Sequence, residues 1–148
     1  MFPFGHGLSY APASWVDVAL TGSADWPTDG TCQLAVTLRN DAGRPTTEVV
    51  QVYLHDPVAE VARPTQQLIA ASRVDLTPGQ TRTAVITLHA DLTSYTGRSG
   101  HRQVDPGAVE LRVGASSADI RATLRCTLTG PPRHPGPHHA LEPGIKLT

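Results

Sequence analysis

The chain has 148 residues, of which 39% are hydrophobic and 17% charged, and its formal net charge is −1. That length suits one domain with a substantial core plus tails, and is too short for two domains of ordinary size. The near-neutral balance offers no basic field to neutralise phosphates, which sets nucleic acid aside as a partner, and no run of about 18 apolar residues is present to cross a membrane as a helix.

The chain opens on Met1-Phe2-Pro3-Phe4-Gly5-His6-Gly7-Leu8-Ser9-Tyr10, an uncharged, apolar peptide whose proline and glycines oppose both helix and long strand. It lacks the positive n-region and continuous apolar h-region of a secretory signal, so the chain as written carries no export address; this leaves the location open, cytoplasmic only if the chain is expressed as it stands. Burying Phe2, Phe4, Leu8 and Tyr10 would contribute on the order of 6–12 kcal/mol together. One small domain offers no obvious second surface for them, so the peptide is expected to lie against another partner.

From Trp15 onward the pattern is short alternating segments separated by turn chemistry, with no sustained helical period. Seven strands are predicted, over residues 15–20, 32–39, 48–55, 66–74, 82–89, 108–114 and 119–129. Successive strand residues face opposite sides of a sheet. Alternation therefore places inward Leu34, Val36 and Leu38, then Val50, Val52 and Leu54, then Ala84, Ile86 and Leu88, then Val109, Leu111 and Val113, and finally Ile120, Leu124 and Leu128. Thr37, Gln51, Tyr53, Thr83, Thr87, Glu110 and Arg112 fall on the other faces. One wet face per sheet implies two antiparallel sheets packed together, an all-β, seven-stranded antiparallel sandwich.

Asn40-Asp41-Ala42-Gly43, Asp56-Pro57, Pro78-Gly79 and Asp105-Pro106-Gly107 supply the turns between strands. Leu92-Thr93-Ser94-Tyr95 is expected to form a short helical turn between the sheets. Beyond Gly130 the chain becomes rich in Pro, Gly and His, which predicts a disordered tail over residues 130–148. Cys32 and Cys126 share strand parity with apolar neighbours and point toward the core. Buried free thiols are the simpler reading, and a single bridge between them stays open.

The ordered set Glu48-Val49-Val50-Gln51-Val52-Tyr53-Leu54 with Asp56-Pro57, Arg63-Pro64 with Leu68, Leu76-Thr77-Pro78-Gly79-Gln80, Val104-Asp105-Pro106-Gly107 and Val113-Gly114-Ala115-Ser116-Ser117 with Asp119-Ile120-Arg121 resembles the fibronectin type III-like module at the C-terminus of family 3 glycoside hydrolases, the β-glucosidase and β-xylosidase family. The resemblance covers about three quarters of the chain. Phe2-Pro3-Phe4-Gly5-His6-Gly7-Leu8-Ser9-Tyr10 is similar to the segment that ends the preceding α/β sandwich domain in that family. The resemblance thus implies a division into a remnant of that domain and linker (residues 1–14), the fibronectin type III-like domain (15–129) and the tail (130–148). It also implies that the chain is a fragment of a larger enzyme. The sequence departs from the family pattern at Ala71, near Arg102 and at Val109, where the family carries aromatic side chains.

Family 3 enzymes are retaining glycosidases working with two carboxylates about 5–5.5 Å apart, and the resemblance implies that both belong to domains this chain lacks. Ser23-Ala24-Asp25-Trp26 is similar to the family's nucleophile context but is one residue out of register, so Asp25 is expected to cap a turn. The remaining acids, including Asp56, Glu60, Asp75, Asp91 and Glu110, read as solvated. The loop from Asp56 to Arg63, with Glu60, could reach a neighbouring cleft in an intact enzyme. His134, His138 and His139 read as a solvated stretch. The expected catalytic, cofactor and metal residues are therefore none. Phe2, Phe4, Leu8, Tyr10 and Tyr53 are the expected interdomain packing residues, and the catalytic domains of a family 3 glycoside hydrolase the expected partner. A second reading is a free-standing carbohydrate- or protein-binding module, for which Trp26 and Tyr53 are the candidate sugar contacts.

Overall fold

The computed structural model describes residues 1, 3–4, 11–59 and 61–148. The strands are β1 (Ser14–Leu20), β2 (Asp25–Pro27), β3 (Thr31–Arg39), β4 (Thr46–His55), β5 (Gln67–Leu76), β6 (Thr81–His89), β7 (Tyr95–Thr96), β8 (Arg102–Gln103), β9 (Gly107–Gly114), β10 (Ile120–Thr129) and β11 (Gly144–Leu147). They form a four-stranded sheet, β1-β3-β6-β11, a five-stranded sheet, β2-β10-β9-β4-β5, and the small β7-β8 pair. Every predicted strand is present. The short helical turn is present but two residues earlier than expected, a 3-10 turn over Ala90–Thr93 that crosses between the sheets and is capped by the His89 side chain, while Ser94 is extended and Tyr95 begins β7.

The core lies between the two large sheets. Leu34, Val36 and Leu38 on β3, Val50, Val52 and Leu54 on β4, Ala84, Ile86 and Leu88 on β6, and Val109, Leu111 and Val113 on β9 are all buried, as alternation places them. Ile120 and Leu124 on β10 are only partly buried, while Leu128 is fully inside. β10 thus dips into the core toward its C-terminal end.

Two segments differ from the sequence reading. The stretch around Asp25 is a short strand pairing parallel with β10, in register Trp26↔Leu128. The Asp25 amide donates to Ser23 Oγ at 3.0 Å, so the capping oxygen belongs to the serine. Trp26 is wholly buried, with Nε1 donating to the Gly30 carbonyl at 3.3 Å. A ring closed off in this way cannot serve as a sugar platform.

The tail is the second correction. Residues 131–143 run back over the sandwich, and β11 pairs antiparallel with β6 in register Ile145↔Ile86 and Leu147↔Ala84. Val104 and Arg133 exchange two backbone hydrogen bonds, of 2.8 and 2.9 Å. Proline and glycine content predicts disorder only when a segment finds no partner for its backbone, and here the unpaired edge of β6 provides one.

Candidate interdomain docking face

The outer face of the five-stranded sheet is built mainly by β4, β5 and β9. On β4 the outward positions are Val49, Gln51 and Tyr53. In a sheet wet on one side these would be exposed, and Val49 is. Gln51 and Tyr53 are not: Tyr53 retains 2% exposure. The cause is the β9–β10 connection, residues 115–119, which folds back over this face. Gln51 Nε2 donates to the Ala115 carbonyl at 3.0 Å, and Gln66 Nε2 donates to the Ser117 carbonyl at 2.7 Å. Beneath that strap the Tyr53 hydroxyl donates to Gln51 Oε1, and burial pushes the phenol above its ordinary pKa.

Tyr53 is therefore corrected from an interdomain contact to an internal anchor. Its ring packs within this module and has no free surface to give a neighbour, either protein or sugar. Sequence alternation locates the residue on the right face but contains no signal that a loop will return to cover it.

Phe4 behaves differently. Its carbonyl accepts the Ser117 amide at 3.0 Å, which ties the leading peptide to the same strap, yet the side chain is 68% exposed. Leu68, opposite Tyr53 in the β4–β5 register, and Val49, opposite Arg73, are also exposed. Val49 and Leu68 thus give the outer face an apolar component, bordered by the Arg112–Glu110 ion pair at 3.1 Å, and Phe4 adds a further exposed apolar side chain on the peptide joined to the strap. Phe2, Leu8 and Tyr10 lie outside the described residues. The peptide rejoins the described chain at Ala11, whose carbonyl accepts the Thr46 hydroxyl.

The charged groups are engaged at the two ends of the sandwich. At the end where β4 finishes, Arg63 pairs with Asp56 at 2.8 Å, donates to the Thr93 carbonyl at 3.1 Å and sits 5.0 Å from the centroid of the Tyr95 ring. The Tyr95 hydroxyl donates to Asp105 Oδ2, which also accepts Gln103 Nε2 at 2.8 Å. The loop expected to reach outward is thus cinched onto the module itself; Glu60, at its tip, lies outside the described residues. Asp91, in the crossing turn, accepts the Arg133 guanidinium and the Ala140 amide, the latter at 2.8 Å. At the opposite end Glu48 is buried beside Ala13, with Arg121 nearby in charge terms. The buried carboxylates Glu48 and Asp91 therefore sit at opposite ends of the strands, unlike a hydrolytic pair facing one bond. Among the described residues no group of three or more His, Cys, Asp or Glu is arranged to hold a metal ion.

Residues 48–117 match the family model of the fibronectin type III-like domain. The chain carries a fibronectin type III-like domain of the family 3 glycoside hydrolase kind. The chain is 38% identical over 125 residues to a β-glucosidase of Rhizobium radiobacter, covering 84% of this chain and 15% of that protein. It is 35% identical over 129 residues to β-glucosidase B of Emericella nidulans, covering 86% of this chain and 15% of that one. Among solved structures, the β-glucosidase from Listeria innocua in complex with glucose superposes with a TM-score of 0.78 at 27% identity, over 88% of this chain and 18% of that chain. The chain therefore spans less than a fifth of the length of these relatives.

Proposed function

We propose that this chain is a non-catalytic accessory module of a family 3 glycoside hydrolase and that it buttresses the catalytic domains by packing the outer face of its five-stranded sheet, with the leading peptide, against them. The observation that carries this reading is Phe4, joined by its carbonyl to the Ser117 amide of the strap while its side chain stays in solvent, together with the exposed Leu68 and Val49 on the sheet. An apolar side chain held at the surface without a partner of its own is what an interdomain contact needs. The relatives support the partner class, since each is a much longer β-glucosidase of which this domain matches a small part. Stabilisation follows from mass action, because a surface that binds only the folded form of its neighbour shifts that neighbour's unfolding.

The carboxylates support the non-catalytic half of the proposal. Asp56, Asp75, Asp91, Glu110 and Asp119 are each held by an arginine, and Glu48 and Asp91, the buried acids among the described residues, are kept at opposite ends of the fold. The test has two arms. The purified chain is assayed on aryl β-glucosides and β-xylosides, where turnover at the buffer rate is expected and activity that co-purifies with the chain overturns the first half. The chain is then joined to the catalytic domains of a family 3 β-glucosidase in place of that enzyme's own module. The joined protein should unfold several degrees higher than the catalytic domains alone, and Phe4→Ser with Leu68→Ser should remove the gain; no gain with the unmutated chain overturns the second half.

A further inference from the structure

Cys32 on β3 and Cys126 on β10 face each other across the core with their Sγ atoms 3.9 Å apart, both buried and both free thiols. The strand registers fix this opposition: Cys32 lies opposite Leu88 within the four-stranded sheet, and Cys126 opposite Val109 within the five-stranded one. The contact therefore joins the two layers of the sandwich, and the chain holds no third cysteine to compete for either partner.

We propose that Cys32 and Cys126 form an oxidisable pair that closes an inter-sheet disulfide when the chain folds in the presence of a small-molecule disulfide. Bonded sulfurs stand about 2.05 Å apart. Closing the present 3.9 Å separation requires the two side chains to rotate about χ1 and the strands to approach.

The step balances as ordinary thiol–disulfide exchange. One cysteine, as thiolate, attacks a sulfur of oxidised glutathione and releases one glutathione thiol, leaving a mixed disulfide; the second cysteine, as thiolate, displaces the other glutathione. Two electrons and two protons pass from the protein to the reagent, which becomes two thiols. In the folded domain the hydrogen bond shared with Cys32, together with burial, pushes the Cys126 thiol up and keeps it protonated. Exposures of 4% and 2% also exclude a tripeptide disulfide. The bond therefore forms while the two sheets are still separating and closing, and folding then seals it. It closes a loop spanning 94 positions of sequence, so its effect falls on the unfolded chain.

The full chain is refolded from denaturant in equal concentrations of reduced and oxidised glutathione, then examined by intact mass, thiol titration under denaturing conditions and non-reducing electrophoresis. The expected product is a monomer about 2 Da lighter than the reduced chain, with no titratable thiol and a Tm raised by about 10 °C. The Tm of Cys32→Ala/Cys126→Ala should be indifferent to the redox buffer. The native chain held in urea below its midpoint, where the sheets open transiently, should give the same product without complete unfolding. Two free thiols per chain, glutathione adducts or disulfide-linked dimers in both formats overturn the proposal, as does a bridged monomer that melts no higher than the reduced one.

Discussion

The guanidinium of Arg63 reaches back to Asp56, with Nη1 2.8 Å from Oδ2 and only 8% and 11% of the two side chains exposed. Breaking such a pair by removing one partner leaves a buried charge without compensation. Arg63→Ala also loses the bond to the Thr93 carbonyl and the packing over Tyr95. Urea denaturation should show a loss of about 2–4 kcal/mol, and Arg63→Lys should recover only part of it, because an ammonium cannot reach the carboxylate and the carbonyl in the same fork.

Asp91 gives the tail a dependence on pH. Burial pushes its carboxyl up, but the Ala140 amide, the Arg133 guanidinium and the nearby His89 outweigh it, and the net direction is below the usual 3.8. A carboxyl whose folded value is depressed adds stability that is present above its unfolded value and disappears as pH falls through the folded one. Hydrogen exchange at residues 133–147 should therefore stay slow at neutral pH and accelerate below about pH 3.8. Asp91→Asn should produce the fast-exchanging tail at pH 7 while the β3 and β4 amides keep their protection. Uniform loosening of the whole sandwich would contradict a hub confined to the tail.

Glu48 has the opposite sign. Burial is the leading cause, and it exceeds the opposing contributions of the Val49 and Ala13 amides and Arg121, so the carboxyl sits above its usual 4.5. A raised folded value favours the folded state below the unfolded pKa, and that advantage is lost as pH rises through the folded value. Above that value the buried carboxyl is thus a cost. Glu48→Gln keeps an oxygen for the two amides, and should raise Tm by a few degrees at pH 7 while flattening the decline in Tm between about pH 4.5 and 7. A lower Tm at neutral pH would show that the attraction to Arg121 outweighs burial.

Gly114 ends β9 at the root of the strap. A Cβ there would stand 2.1 Å from the Asp119 carbonyl oxygen and 2.8 Å from the Ile120 Cα, both backbone atoms that cannot swing aside. The same carbonyl accepts the Ala115 amide at 3.0 Å, which closes the turn. Gly114→Ala should cost about 1–3 kcal/mol by overpacking and should free Tyr53 to solvent, visible as increased tyrosine accessibility to quenchers. Gly43→Ala, at a position with open space around it, is the matched control and should be neutral within about 0.5 kcal/mol.

The sequence by itself determined the layers of this protein. Period-two alternation in β3, β4, β6 and β9 is a local property of the chain, enforced by the pleat, and it identifies the core positions on those strands without reference to any neighbour. The ordered motifs from Glu48 to Arg121 likewise identify the family, because turn residues act within a few positions of themselves. Only the tertiary structure decided what covers each outer surface. Tyr53 is buried by a strap whose hold depends on Gln51 and Gln66 meeting carbonyls about 50 or more residues away. The tail is ordered because β6 offers an edge to β11 and Asp91 a carboxylate to the Arg133 guanidinium and the Ala140 amide. Cys32 meets Cys126 because two sheets stack in one particular offset. Such pairings are settled by which distant backbone and side-chain groups remain unsatisfied once the strands have assembled, and composition and periodicity carry no record of that.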